Sequence, residues 1–80
     1  MNAYAYEMTI TAKTHENIIK TNDILEIMHE SRERLSSDNK ITIIDGYTGE
    51  VLMYFDLECD PEIYMTNEFR LMWLGFKALG

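Results

Sequence analysis

The chain of 80 residues contains one cysteine, one proline and four glycines, and it has no lysine or arginine from Ile41 to Phe69. Each scarcity excludes something. A lone Cys59 forms no intrachain disulfide, which fits a reducing, cytoplasmic setting. So little proline and glycine leaves no long flexible linker, and residues 1–80 read as a single domain. No run approaches the roughly 18 consecutive apolar residues of a membrane span. No basic segment followed by an apolar one opens the chain, so no secretory signal is expected. Neither an internal repeat nor a low-complexity segment is present.

What the chain does have is apolar residues, 46% of the total, with nine aromatics, and 14 acids against seven bases. The apolar content is that of a folding chain rather than a disordered one. The acids are unevenly placed. From Ile41 to Glu68 lie Asp45, Glu50, Asp56, Glu58, Asp60, Glu62 and Glu68, with no base among them. The remaining seven acids and all seven bases fall elsewhere, so the formal charge of −7 resides in this stretch. Nucleic acid and anionic membrane repel such a surface; a protein with a basic surface attracts it.

Residues 3–13 alternate: Tyr4, Tyr6, Met8, Ile10 and Ala12 on one face, Ala5, Glu7, Thr9, Thr11 and Lys13 on the other. Period two predicts a half-buried strand. Residues 14–20 follow neither period clearly, because Ile18 and Ile19 are adjacent; a loop, a short helical turn capped by Thr14 and a strand extension all stay open. A helix follows, capped by Thr21 or Asn22 with Asp23 in its first turn. Its apolar face comprises Ile24, Ile27, Met28, Ser31 and Leu35. The polar residues 36–39 end it. Residues 40–45 and 50–56 then form a hairpin around Gly46-Tyr47-Thr48-Gly49. Asp60-Pro61-Glu62 carries the signals of a helix start, predicting a helix from Pro61 to about Ala78 with a break near Thr66. The expected architecture is α+β in the order β-α-β-β-α, a three-stranded antiparallel sheet with two helices on one face. Its core should hold Tyr6, Met8, Ile10, Ile24, Ile27, Met28, Ile43, Val51, Met53, Phe55, Phe69, Met72, Trp73 and Phe76.

Patterns that carry chemistry are few. Asp56-x-Glu58-x-Asp60 begins like a calcium loop, but the sixth and twelfth positions hold Pro61 and Asn67 where glycine and glutamate are needed. His15, His29 and Cys59 lack metal-ligand spacing. Nucleophile elbow, phosphate loop and dinucleotide fingerprint are all absent. The expectation is a non-catalytic protein without metal or cofactor.

Two binding surfaces are candidates. Asp56, Glu58, Asp60 and Glu62 recur at every second residue, which on an extended chain gives a row of charge spaced roughly 6.5–7 Å apart. Together with Asp45, Glu50 and Tyr47 at the hairpin tip they would form an acidic face able to enter a basic groove. The simpler alternative is that Asp60 and Glu62 serve the helix start while Asp56 and Glu58 are solvated. The second candidate is an apolar stripe of Ile63, Tyr64, Leu71, Leu74 and Ala78, opposite the expected core face of the last helix. It is either buried within the monomer, a homodimer interface, or a docking surface for another protein.

In size, composition and charge distribution the chain resembles the small acidic proteins that phages and mobile elements encode to inhibit host nucleic-acid-binding machinery, some of them by mimicking DNA. Small acidic antitoxins and host regulators share the profile. The resemblance implies an inhibitor or regulator whose acidic face competes for a partner's basic nucleic-acid-binding surface. The alternative is a structural, adaptor or dimerisation protein working through the apolar stripe.

Overall fold

The computed structural model describes residues 3–34, 40–56 and 60–79. Seven elements follow one another: β1 (Tyr6–Thr11), β2 (Glu16–Thr21), α1 (Ile24–Arg34), β3 (Lys40–Asp45), β4 (Val51–Asp56), β5 (Asp60–Met65) and α2 (Asn67–Leu79). The strands make one antiparallel sheet in the order β2-β1-β3-β4-β5. The class is α+β as expected, but the sheet has five strands rather than three.

The first added strand is β2. The Ala12 N–H donates to the His15 carbonyl at 2.9 Å and closes a tight turn after β1. Ile19 then faces the core opposite Met8, and Ile18 faces the other side opposite Thr9. Ile18 is 58% exposed, so adjacent isoleucines on this edge strand serve different faces and hide the alternation.

The second is β5, which replaces the expected helix start at Pro61. Met65 pairs with Met53 and Tyr64 with Tyr54. Pro61 is tolerated because β5 is an edge, where a missing N–H disturbs little. The helix begins after Thr66 instead, whose Oγ1 accepts the Phe69 N–H at 3.2 Å as an N-cap. The cap of α1 also differs from expectation. Asp23 Oδ1 accepts the Leu25 N–H at 2.9 Å. Thr21 Oγ1 accepts the Asp23 N–H and donates to Glu26 Oε2, both at 3.0 Å. Asn22 turns away to accept the Ala5 N–H at 2.8 Å, which ties down the N-terminal segment.

Met8, Ile10, Ile41, Ile43, Met53, Phe55 and Met65 from the sheet close on Ile27 and Met28 of α1 and Phe69 of α2. Tyr6, Ile24, Trp73 and Phe76 border this core half-buried. Two expected core residues are not in it: Val51 is 39% and Met72 41% exposed. Val51 leaves because Ile43 pairs with Met53 but Ile44 with Val51, which makes Leu52 a bulge. Leu52 packs against the core in its place. Ile41 and Met65 join the expected core residues, and Ser31, on the apolar face of α1 as expected, is buried with its hydroxyl donating to the Met28 carbonyl at 3.1 Å. Leu35 lies outside the described residues.

Candidate functional site

The hairpin tip is built by Asp45. Its Oδ1 accepts the N–H groups of Tyr47 and Thr48 at 2.8 and 3.1 Å. Its own N–H donates to the Glu50 carbonyl at 2.9 Å, and its carbonyl accepts the Gly49 N–H at 2.8 Å. Gly49 takes φ +78°, the left-handed region that closes such loops with glycine. A Cβ at Gly46 would run into the Tyr4 carbonyl oxygen, so that position also needs glycine. Tyr47 projects from this rigid turn, 67% exposed.

Asp56 is in a different situation. It is 3% exposed. It accepts the Tyr54 hydroxyl at 3.2 Å and lies 3.6 Å from Lys40 Nζ, its cross-strand neighbour. This carboxylate is held by a base and a phenol rather than presented to solvent. Asp60 pairs with Asp56 at the same end of the sheet. Glu62 follows within β5, and Glu58 lies outside the described residues. Glu50 and Asp56 bracket β4, whose length separates them by about 20 Å. The expected acidic face therefore divides. Asp45, Glu50 and Tyr47 occupy one end of the β3–β4 hairpin, and Asp56 and Asp60 occupy the other.

The expected apolar stripe also divides. Ile63 and Tyr64 belong to β5, 41% and 54% exposed; Tyr64 lies on the helix-free face of the sheet beside Tyr54. Leu71, Leu74 and Ala78 form the exposed crest of α2, with Leu71 71% and Leu74 54% exposed. Phe69, two residues from Leu71, is fully buried. A helix that turns 100° per residue puts the two on opposite sides.

Beside that crest, between α1 and α2, runs an apolar groove of about 220 Å³, lined by Ile24, Leu25, Met28, Met72, Gly75 and Phe76. Leu25 is 52% exposed at its rim. Beside one wall the His29 and Phe76 rings meet nearly perpendicular with centroids 4.8 Å apart, and the Arg32 guanidinium lies 5.9 Å from the Phe76 ring centre. Sequence periodicity pointed to neither Leu25 nor Gly75. The available signal was a glycine in the interior of an otherwise good helix.

His15 hydrogen-bonds Thr14 in an exposed turn, with Nδ1 3.0 Å from Oγ1. Among the described residues, no three His, Cys, Asp or Glu side chains converge to hold a metal ion. No helix among them is long and apolar enough to cross a membrane. Comparison with protein-family models, curated proteins and solved structures finds no match to this chain.

Proposed function

We propose that this chain is a non-catalytic protein-interaction module that binds through its helical layer, with its acids keeping it soluble and away from nucleic acid. The observation that carries this reading is the exposure of Leu71 and Leu74 on the crest of α2, next to the apolar groove. Exposed leucines set beside a concave apolar surface are costly to leave in water and supply the kind of anchor that protein interfaces use. The double substitution Leu71→Glu/Leu74→Glu tests it. Folding, followed by far-ultraviolet circular dichroism, is expected to survive, because neither side chain enters the core. Association with the binding protein is expected to be lost. Binding that survives both glutamates would refute the reading.

A second reading is favoured by the hairpin tip. There an exposed Tyr47 stands on a turn braced by Asp45 and adjoining Glu50. In this reading the chain is an acidic inhibitor or regulator that competes for a partner's basic nucleic-acid-binding surface, as DNA mimics do. Salt separates the two. Raising the ionic strength from about 0.1 to about 1 M shortens the Debye length from ~10 to ~3 Å. Acidic competition would weaken steeply over that range, whereas docking on the apolar crest would hold or strengthen.

A further inference from the structure

We infer that β2 is a self-recognition edge: two copies of this chain pair β2 against β2, antiparallel and centred on Ile18, to make one continuous sheet. This edge is separate from the helical layer, and the inference does not rest on that layer's reading. The direction of the backbone groups comes first. The Ala12 N–H donates to the His15 carbonyl, and in an antiparallel ladder hydrogen-bonded pairs recur at every second residue. Ile10–Asn17, Met8–Ile19 and Tyr6–Thr21 are therefore the bonded pairs between β1 and β2. The Gly46 N–H, bonded to the Ala5 carbonyl, agrees, since it assigns the alternate residues of β1 to β3. Glu16, Ile18 and Lys20 are left with N–H and C=O turned outward along an edge of the sheet. Such a row is a template for another extended polypeptide.

The side chains identify the polypeptide. Glu16, Ile18 and Lys20 alternate on the helix-free face, and all three are exposed. A two-fold axis normal to the sheet keeps that face in common and reverses the strand. Centred on Ile18, it sets Glu16 of each copy opposite Lys20 of the other, with the two isoleucines meeting at the axis. An acid, an isoleucine and a base at every second residue are thus their own complement. Moving the axis to Asn17 sets Glu16 opposite Ile18, and moving it to Ile19 sets Ile18 opposite Lys20, so the neighbouring registers lose the match. Lys20 Nζ already lies 3.3 Å from Glu7 Oε1, but its side chain is half exposed and has room for a second carboxylate. Such cross-strand charge pairs are weak singly and serve to fix the register. The backbone bonds and the isoleucine contact supply the affinity.

The excess of acid does not oppose this arrangement. It runs from Asp45 to Glu68, through β3, β4 and β5, and the strand order puts β2 at the opposite edge, roughly 19 Å from β5. Joining at β2 sends both acidic stretches outward. The other edge does not compete, because β5 carries Pro61, which has no N–H, and its register against β4 is irregular. With one pairable edge per chain, the assembly closes at two copies.

Sedimentation velocity on the full chain, from low micromolar to sub-millimolar concentration, tests this. The wild type is expected to pass from monomer to dimer. Ile18→Pro removes an outward N–H, and Ile18→Lys sets like charges opposite each other at the axis. Each is expected to weaken the dimer about tenfold or more. Ile18→Lys should do so with the melting temperature of a dilute sample unchanged, because the side chain stands in solvent. Glu16→Lys is also expected to weaken the dimer. Mixed with Lys20→Glu, it should form a heterodimer tighter than either variant's own dimer, since both cross-strand pairs then join opposite charges. Leu71→Glu, on α2, should leave the dimer unchanged. A wild type that stays monomeric throughout overturns the inference, and so does a dimer indifferent to both Ile18 variants. Neither result bears on the helical layer as a docking surface. A dimer whose Glu16→Lys and Lys20→Glu variants show no preference for each other overturns the register centred on Ile18.

Discussion

Replacing Gly75 by alanine should stabilise the chain. In a helix interior glycine is about 0.8–1.0 kcal/mol less favourable than alanine, because it loses more backbone freedom on folding. That gain is usually offset where the new methyl group collides with a neighbour. Here no atom lies within 4 Å of the added Cβ, so no offset is expected. For a domain of this size about 1 kcal/mol raises the melting temperature by about 4–8 °C. Thermal unfolding followed by circular dichroism checks the sign. An unchanged or lower melting temperature would refute the reasoning, since it would mean that the methyl group meets something in the folded chain.

Other substitutions read the same architecture. Phe69→Ala empties the centre of the core and should cost about 3–5 kcal/mol, a large share of the roughly 4–12 kcal/mol expected for 80 residues; Leu71→Ala, two residues on, should cost the dilute monomer less than about 0.5 kcal/mol in urea unfolding. Asp45→Ala removes the acceptor for the Tyr47 and Thr48 N–H groups and should cost about 1 kcal/mol, with faster amide exchange confined to the β3–β4 turn. Asp56→Asn keeps the shape but removes the charge that Lys40 and Tyr54 engage; about 1–3 kcal/mol of stability should go, and a binding assay at fixed folded concentration should register little.

Local signals made β1, α1 and the β3–β4 hairpin legible, because their residues alternate or repeat within the element. Two strands were not, for distinct physical reasons. In β2 the adjacent Ile18 and Ile19 break the alternation, and only pairing with Thr9 and Met8 assigns each its face. In β5 the sequence Asp60-Pro61-Glu62 offers the capping acid, first-position proline and dipole-complementing acid of a helix. Pairing of Tyr64 and Met65 with Tyr54 and Met53 overrides that local preference, and no window of sequence contains both partners. The break expected near Thr66 proved to be the true cap. The bulge at Leu52 explains the misplaced Val51 in the same way, since register belongs to the pair of strands and not to one of them. Exposure of the crest at Leu71, Leu74 and Ala78 follows from helical periodicity alone. Ile63 and Tyr64 parted from it because they lie on a strand.

The acids make the larger point about reading function from charge. Composition counts carboxylates but does not say which are already engaged. Asp23 caps α1, Glu26 holds Thr21, Glu7 pairs with Lys20 at 3.3 Å and Glu30 with Arg34 at 3.1 Å. Asp45 braces a turn, and Asp56 is buried against Lys40 and Tyr54. A basic groove would have to compete with these bonds before it gained anything from the same oxygens. Exposed pairs such as Glu7–Lys20 hold weakly and would yield; Asp56, desolvated and doubly held, would not. The base-free window from Ile41 to Phe69 is thus partly the signature of a hairpin in which Asp45 and Asp56 do structural tasks. A competing acidic surface would draw on Glu50 and the exposed Tyr47 at the tip far more than on the buried Asp56. The helical layer needs no such competition: its charges cancel, and its leucines have no partner within the chain's core.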